Sequence, residues 1–199
     1  MDSRTEVMAS LARWRDESPD GETRLIGLIA RGDRQAFETF YRAYFPRLTR
    51  FLHRMTRSLP LIEEIVDDTM LVIWQKADSF NFSSKVSTWV FAIAYRKACK
   101  ALHALDEPLD TDMEAYESEV AWQPEWRCEQ RRLALALDVA LRALPLAQRA
   151  AFELTFYHDM GYAEIAVIQE CPVNTVKTRL FHARRRLALL LKDQLEGTS

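Results

Sequence analysis

The chain has 199 residues, 27 Lys or Arg against 29 Asp or Glu, and a formal net charge of −2; 48% of it is hydrophobic and 28% charged. Those proportions call for one large packed domain or two small ones and exclude wholesale disorder. Five Gly and seven Pro leave little material for hairpins, and the longest apolar run, Trp89 to Tyr95, is far too short to span a bilayer.

The opening residues lack the apolar segment of a secretion signal, so a soluble cytoplasmic protein is expected. Cys99, Cys128 and Cys171 stand far apart and form no C-x-x-C pair, which predicts reduced, partly buried thiols. The sequence contains no Gly-rich phosphate loop, no H-E-x-x-H and no G-x-S-x-G. No catalytic residue, metal or cofactor is expected.

Charge divides the chain into four parts. Residues 1–23 carry −3, residues 24–103 +6, residues 104–125 −8 and residues 126–199 +3. The pattern predicts a flexible N-terminal extension, two basic modules and, between them, a flexible acidic linker with two prolines and little helical periodicity.

The first module reads as helices. Leu25, Ile26, Leu28 and Ile29 precede Gly32, a candidate C′ residue, and Asp33 is placed to cap the next helix. There Phe37, Phe40, Tyr41, Tyr44 and Leu48 recur at three- and four-residue intervals. Ser58 and Pro60 announce a third helix with the apolar face Ile62, Ile65, Val66, Thr69, Met70 and Ile73.

Its other face carries Glu63, Glu64, Asp67 and Asp68, paired at i,i+4. Like charges at that spacing cost a few tenths of a kcal/mol, partly offset near a helix N-terminus. A solvated face, a docking surface for a basic partner and, more remotely, a metal site all fit. A carboxylate-bridged metal site would want Glu-x-x-His pairs, which are missing.

The polar loop "DSFNFSSK" follows, then a helix with Trp89, Ile93 and Leu102. Phe80, Phe82 and Trp89 interleave with Lys85, Arg96, Lys97 and Lys100. Rings beside cations suit unstacked bases, but Trp89 and Phe91 also fit a helical core; Phe80 and Asn81, in the polar loop, are the more open candidates.

The second module opens with Leu133, Leu137, Leu141 and Leu144, interrupted by Pro145, and continues with "LAQRAAFELTFYHD". After Met160-Gly161, the short helix "YAEIAVIQ", the turn "ECP" and the long basic helix from Val173 form a helix-turn-helix. At 100° per residue Val173, Val176, Leu180, Ala183, Leu187 and Leu190 make one apolar stripe. Opposite lie Asn174, Thr178, Phe181, His182 and Arg185, flanked by Lys177 and Arg184 on one side and Arg179 and Arg186 on the other. A helix in a major groove needs this arrangement, with base edges under the strip and phosphates beside the flanks. The alternative is a solvated or membrane-surface amphipathic helix. Such a helix does not need a second one braced against it.

These residues resemble the sigma factors of the extracytoplasmic-function (ECF) type, two-domain all-α initiation subunits of bacterial RNA polymerase. "GDRQAFETFYRAYFPRL" is similar to the start of the family's second region, "IEEIVDDTMLVIWQKADSF" to its polymerase-docking helix and "STWVFAIAYRKACKAL" to its promoter-melting helix. The stretch from Leu144 to Leu187 is similar to the fourth region almost end to end. The chain departs from the family at Asp67 and Asp68, where Gln and Glu are common, and at Arg96 and Lys100, where Asn and Asp are frequent. Pro172 replaces a usual Ser cap, leaving that role to Cys171 or to the turn.

The resemblance implies a sigma factor that binds core polymerase and initiates transcription at chosen promoters. Asn174, Lys177, Thr178, Arg179, Phe181, His182, Arg184, Arg185 and Arg186 would read the −35 duplex. Phe80, Asn81, Lys85, Trp89, Arg96, Lys97 and Lys100 would hold and melt the −10 element, and Glu63, Glu64, Asp67, Asp68, Met70 and Trp74 would bind polymerase. An anti-sigma factor is the other implied partner. The 22-residue linker reaches at most about 73–79 Å, enough for two duplex turns of about 68–72 Å. The rival is a helix-turn-helix regulator that binds DNA without polymerase; an all-α enzyme using the carboxylate cluster is more distant.

Overall fold

The structure, a computed structural model, describes residues 19–104 and 135–196, with side chains for 21–104 and 135–192. The linker 104–125, Cys128, Leu133 and the first 18 residues therefore lie almost wholly outside the described residues. Every described segment is helix, turn or loop, and none is a strand. They divide into two compact units, the first built on the helices up to Lys97 and taking in Val167–Gln169, the second on the rest of the chain from Ala98.

In the first unit α1 spans Pro19–Ile29, α2 Arg34–Met55, α3 Leu59–Lys76 and α4 Val86–Ala104, with a single tight turn, Ala77–Ser79, after α3. Helix α1 starts inside the segment that charge alone assigned to a flexible extension. Its Glu22 meets Arg47 of α2 at 3.4 Å, which ties this turn to the unit. Gly32 adopts φ 82° after α1, the left-handed conformation a C′ residue needs. Asp33 Oδ1 then accepts from the backbone N–H groups of Gln35 (2.9 Å) and Ala36 (3.0 Å), satisfying two orphan donors of α2.

Helix α2 runs through Pro46, which withdraws one backbone donor from its middle. Burial on both sides offsets that loss: Phe40, Tyr44, Leu48, Phe51 and Leu52 are all at most 1% exposed. Each such side chain stabilises the fold by roughly 1.5–3 kcal/mol. Phe51 meets Phe91 of α4 edge-on at 5.3 Å, and the Arg47 guanidinium lies 4.8 Å over the Tyr44 ring. Ser58 Oγ caps α3 by accepting from Leu61 N–H, and all six residues of the expected apolar face of α3 are buried.

In the second unit, residues 135–142 are helical (α5), followed by α6 (Leu146–Phe156), α7 (Tyr162–Ile168) and α8 (Val173–Glu196). Ala140, Leu141, Leu144, Ala183 and Leu187 form one cluster of its core, with Leu137, Phe152, Leu190 and Leu191 packed against them. Gly161 N–H donates to Glu164 Oε2 at 2.9 Å, half of a capping box that starts α7. At its end Glu170 takes φ 49° and Cys171 N–H reaches back to Ala166 C=O at 3.0 Å. That six-to-one bond is a Schellman turn, and it fixes the direction in which α8 leaves.

Candidate nucleic-acid and partner interfaces

Helix α8 presents the strip that the helical wheel expects. Asn174, Lys177, Thr178, Phe181, His182, Arg184, Arg185 and Arg186 are exposed, Phe181 by 60%. Val176, Leu180, Ala183 and Leu187 are buried, and Leu190 is half-buried. Val173, expected in the buried stripe, is 38% exposed. It is the first residue of the helix, and no neighbouring turn covers it from its N-terminal side.

Contacts within the unit refine the strip. Arg179 is half-buried, and its Nη1 lies 3.3 Å from Cys171 Sγ, so the thiol anchors this flank rather than capping the helix. The first turn closes instead on the Pro172 carbonyl, which accepts from Thr175 (2.9 Å) and Val176 (3.3 Å). Thr178 Oγ1 donates to Asn174 C=O at 3.0 Å, leaving the hydroxyl lone pairs facing outwards as acceptors. Arg184 lies 5.3 Å over the Phe156 ring, a cation–π contact, so this flank also packs against α6.

The loop before α4 is arranged differently from expectation. Phe80 is only 5% exposed, with its ring 5.0 Å from Phe82 and 5.2 Å from Trp89. It is a core residue, because Trp89 and Phe82 close over it. Phe82 is the exposed ring, at 63%, and it stands at φ 58°. Asn81 Oδ1 accepts from both Ser83 N–H (3.1 Å) and Ser83 Oγ (2.6 Å), an Asx turn that holds the strained residue between them. Trp89 is half-buried; Lys85, Arg96 and Lys100 are exposed. The sequence offers Phe82 only as one of three rings beside cations and favours Phe80 and Asn81 as the open positions, although its place between Asn81 and Ser83 in a polar loop was the available signal.

On α3, Glu63, Glu64, Asp67 and Asp68 all face outwards. Asp68 Oδ2 lies 2.7 Å from Lys97 Nζ of α4, which joins a residue expected to meet polymerase to one expected to meet DNA. Asp67 Oδ1 accepts from the Tyr41 hydroxyl at 3.3 Å. Partial burial, then this carboxylate, raises the Tyr41 phenol above its usual pKa.

Beside that contact a groove of about 530 Å³ runs between α2 and α3, lined by Arg34, Phe37, Tyr41, Asp67, Met70, Leu71 and Trp74. Trp74 meets Phe37 edge-on at 5.1 Å, and Tyr41 stacks on Phe45 at 5.5 Å. Met70 is 2% exposed, so it is the floor of the groove rather than a free contact; the exposed apolar position of the lining is Leu71 (51%), with Phe45 (39%) outside the lining beside Tyr41. Among the described residues no group of three or more His, Cys, Asp or Glu is placed to hold a metal ion, and no helix is long and apolar enough to cross a membrane.

Residues 40–106 match the family model for sigma-70 region 2, and residues 134–187 the model for sigma-70 region 4. The chain is 31% identical over 162 residues to the ECF RNA polymerase sigma factor RpoE of Cereibacter sphaeroides, covering 78% of this chain and 86% of that one. It belongs to the ECF sigma factors. Among solved structures, the sigma factor RpoE of Bartonella quintana, in complex with the anti-sigma factor NepR, is 25% identical with a TM-score of 0.60, covering 78% of this chain and 96% of that one. CnrH, in complex with the cytosolic domain of CnrY, shares the fold at a TM-score of 0.63 and 21% identity, over 89% of this chain and 99% of that one. In this ECF sigma factor the region 2 match takes in most of α2, all of α3 and α4, the Phe82 loop and the groove residues other than Arg34 and Phe37. The region 4 match takes in α5 to α7 and the exposed strip of α8.

Proposed function

We infer that this sigma factor binds core RNA polymerase in the cytoplasm, directs it to specific promoters and helps to open them, as a non-enzymatic initiation subunit. The observation that carries this reading is the division of α8, from Val173 to Lys192, into a buried apolar stripe and an exposed face without a carboxylate. A uniformly negative duplex excludes carboxylates from the surface that meets it. Thr178, His182, Phe181 and Asn174 take base edges of the −35 element. Arg185 lies on the same strip, and Lys177, Arg179, Arg184 and Arg186 meet the phosphates on either side.

In the first unit, Phe82 rather than Phe80 offers a ring to an unpaired base of the −10 element, with Asn81 and Lys85 just before α4, Trp89 at its start and Arg96 and Lys100 further along that helix. The groove between α2 and α3, with Asp67, Leu71 and Trp74, docks polymerase, and Glu63, Glu64 and Asp68 extend that surface with negative charge. The same groove suits an anti-sigma factor, which would hold the free protein. The module boundaries at 24–103 and 126–199 follow charge and belong to this reading.

The test is transcription by purified core polymerase plus this protein on a promoter library, scored as run-off transcripts. Transcripts from a defined set of templates are expected. Tight duplex binding without a transcript from any template would instead make the chain a helix-turn-helix regulator that works without polymerase.

A further inference from the structure

The Val173–Lys192 stretch of α8 is not the only basic stretch without an acid. Between Glu38 and Glu63 the chain has no carboxylate, yet it carries Arg42, Arg47, Arg50, His53, Arg54 and Arg57. The first two have partners: Arg42 meets Glu38 at 2.5 Å, and Arg47 meets Glu22 while stacking on Tyr44. Arg50, His53 and Arg57 are exposed and meet no carboxylate among the described residues. Arg50 and His53 are one turn apart on the side of α2 opposite Leu48, Phe51, Leu52 and Met55, which are buried. Arg57 follows directly after the Thr56 cap.

Compensation of the helix dipole accounts for only part of this. Its effect falls off within the last turn, which holds His53 and Arg54; Arg50 precedes that turn and Arg57 lies beyond the cap. Three features favour a polyanion over an acidic protein surface. A patchwork protein partner tolerates an acid among the bases, whereas a phosphodiester chain repels one at every position. The cations are arginines, whose planar fork matches phosphate oxygens two at a time, with one histidine and no lysine. The base-free side of the helix is packed, so the exposed stripe has no structural duty of its own.

We propose that Arg50, His53 and Arg57 form an additional phosphate-binding stripe on the first unit, which grips the promoter DNA backbone without reading its sequence. The proposal rests on the sigma-factor reading and adds a contact outside the loop, α4 and α8. The shared chemistry is the phosphodiester, offered either by duplex flanking the −10 element or by the unpaired non-template strand.

The experiment measures promoter binding by holoenzyme, reconstituted from core polymerase and full-length protein, as a function of salt. Wild type is compared with Arg50→Gln, Arg57→Gln and the double substitution, on two promoters of unrelated flanking sequence. Each substitution should lower the magnitude of the log K against log [salt] slope by about 0.9 if the phosphate is in duplex, or about 0.7 if it is in single strand. The loss should be equal on both promoters, with core binding by a fluorescence titration unchanged. Fork templates with and without the unpaired strand identify which source the stripe uses. An unchanged slope in the double variant overturns the proposal, as does a loss that appears in core binding instead. If wild-type holoenzyme forms no promoter complex, the sigma-factor reading itself has failed, a result separable from either.

Discussion

Lys97 Nζ and Asp68 Oδ2 lie 2.7 Å apart, joining α4 to α3. The two side chains are 29% and 52% exposed, so solvent screens the pair and it holds α3 to α4 only weakly. A double-mutant cycle with Asp68→Asn and Lys97→Gln in urea unfolding should give a coupling of about 0.2–1 kcal/mol at low salt, vanishing near ~1 M. A coupling that survives high salt would show the pair to be desolvated.

Met70 and Leu71 are neighbours in sequence with opposite fates in the groove. Met70→Ala should cost about 2–5 kcal/mol of stability, because it opens a cavity beneath Trp74 and Phe37. Leu71→Ala should leave stability within about 0.5 kcal/mol yet weaken binding to core polymerase several-fold. Thermal unfolding and a core-binding titration on both variants separate the two roles; equal effects on stability would show that the groove is closed.

The same contrast holds for Phe80 and Phe82. Phe80→Ala should destabilise by about 3–5 kcal/mol. Phe82→Ala should leave folding almost unchanged while removing a stacking surface worth about 1–3 kcal/mol per base. Permanganate footprinting of open complexes, with duplex binding as the control, reads the second loss. A Phe82 variant that melts promoters as well as wild type would assign base capture elsewhere.

On α8 the expected signatures divide along the strip. Thr178→Ala or His182→Ala should change sequence preference by about 1–3 kcal/mol for each well-formed base interaction it removes. Arg186→Ala should weaken all sequences alike and reduce the salt slope by about one. Arg184→Ala should do the same and in addition forfeit the packing of its guanidinium on the Phe156 ring, worth about 0.5–1 kcal/mol of stability at an exposed site. Selection from a randomised −35 library, read beside a melting curve, distinguishes all three behaviours.

Helix positions were legible in the sequence where one local rule governs them. Asp33 and Ser58 cap as their types demand, and the three-four spacing of Ile62, Ile65, Val66 and Ile73 gave the buried face of α3 without error. Tertiary neighbours decided the rest. A helical wheel states which side of α8 is apolar but not where its first turn lacks a cover, hence Val173. Composition marks "SFNFSSK" as a polar loop but not which of its two rings folds under Trp89, hence Phe80. The acids of α3 pointed to a docking surface, but the apolar part of the groove combines residues from two helices and emerges only once they are packed.

The separation of duties along α8 has a consequence for how such a protein diversifies. Val176, Leu180, Ala183 and Leu187 hold the helix in place, while Asn174, Phe181, His182 and Arg185 contribute nothing to that core. Their letters can therefore drift, or be rewritten by an engineer, with the scaffold untouched. A transcription programme could be readdressed by editing one exposed ribbon of a single helix.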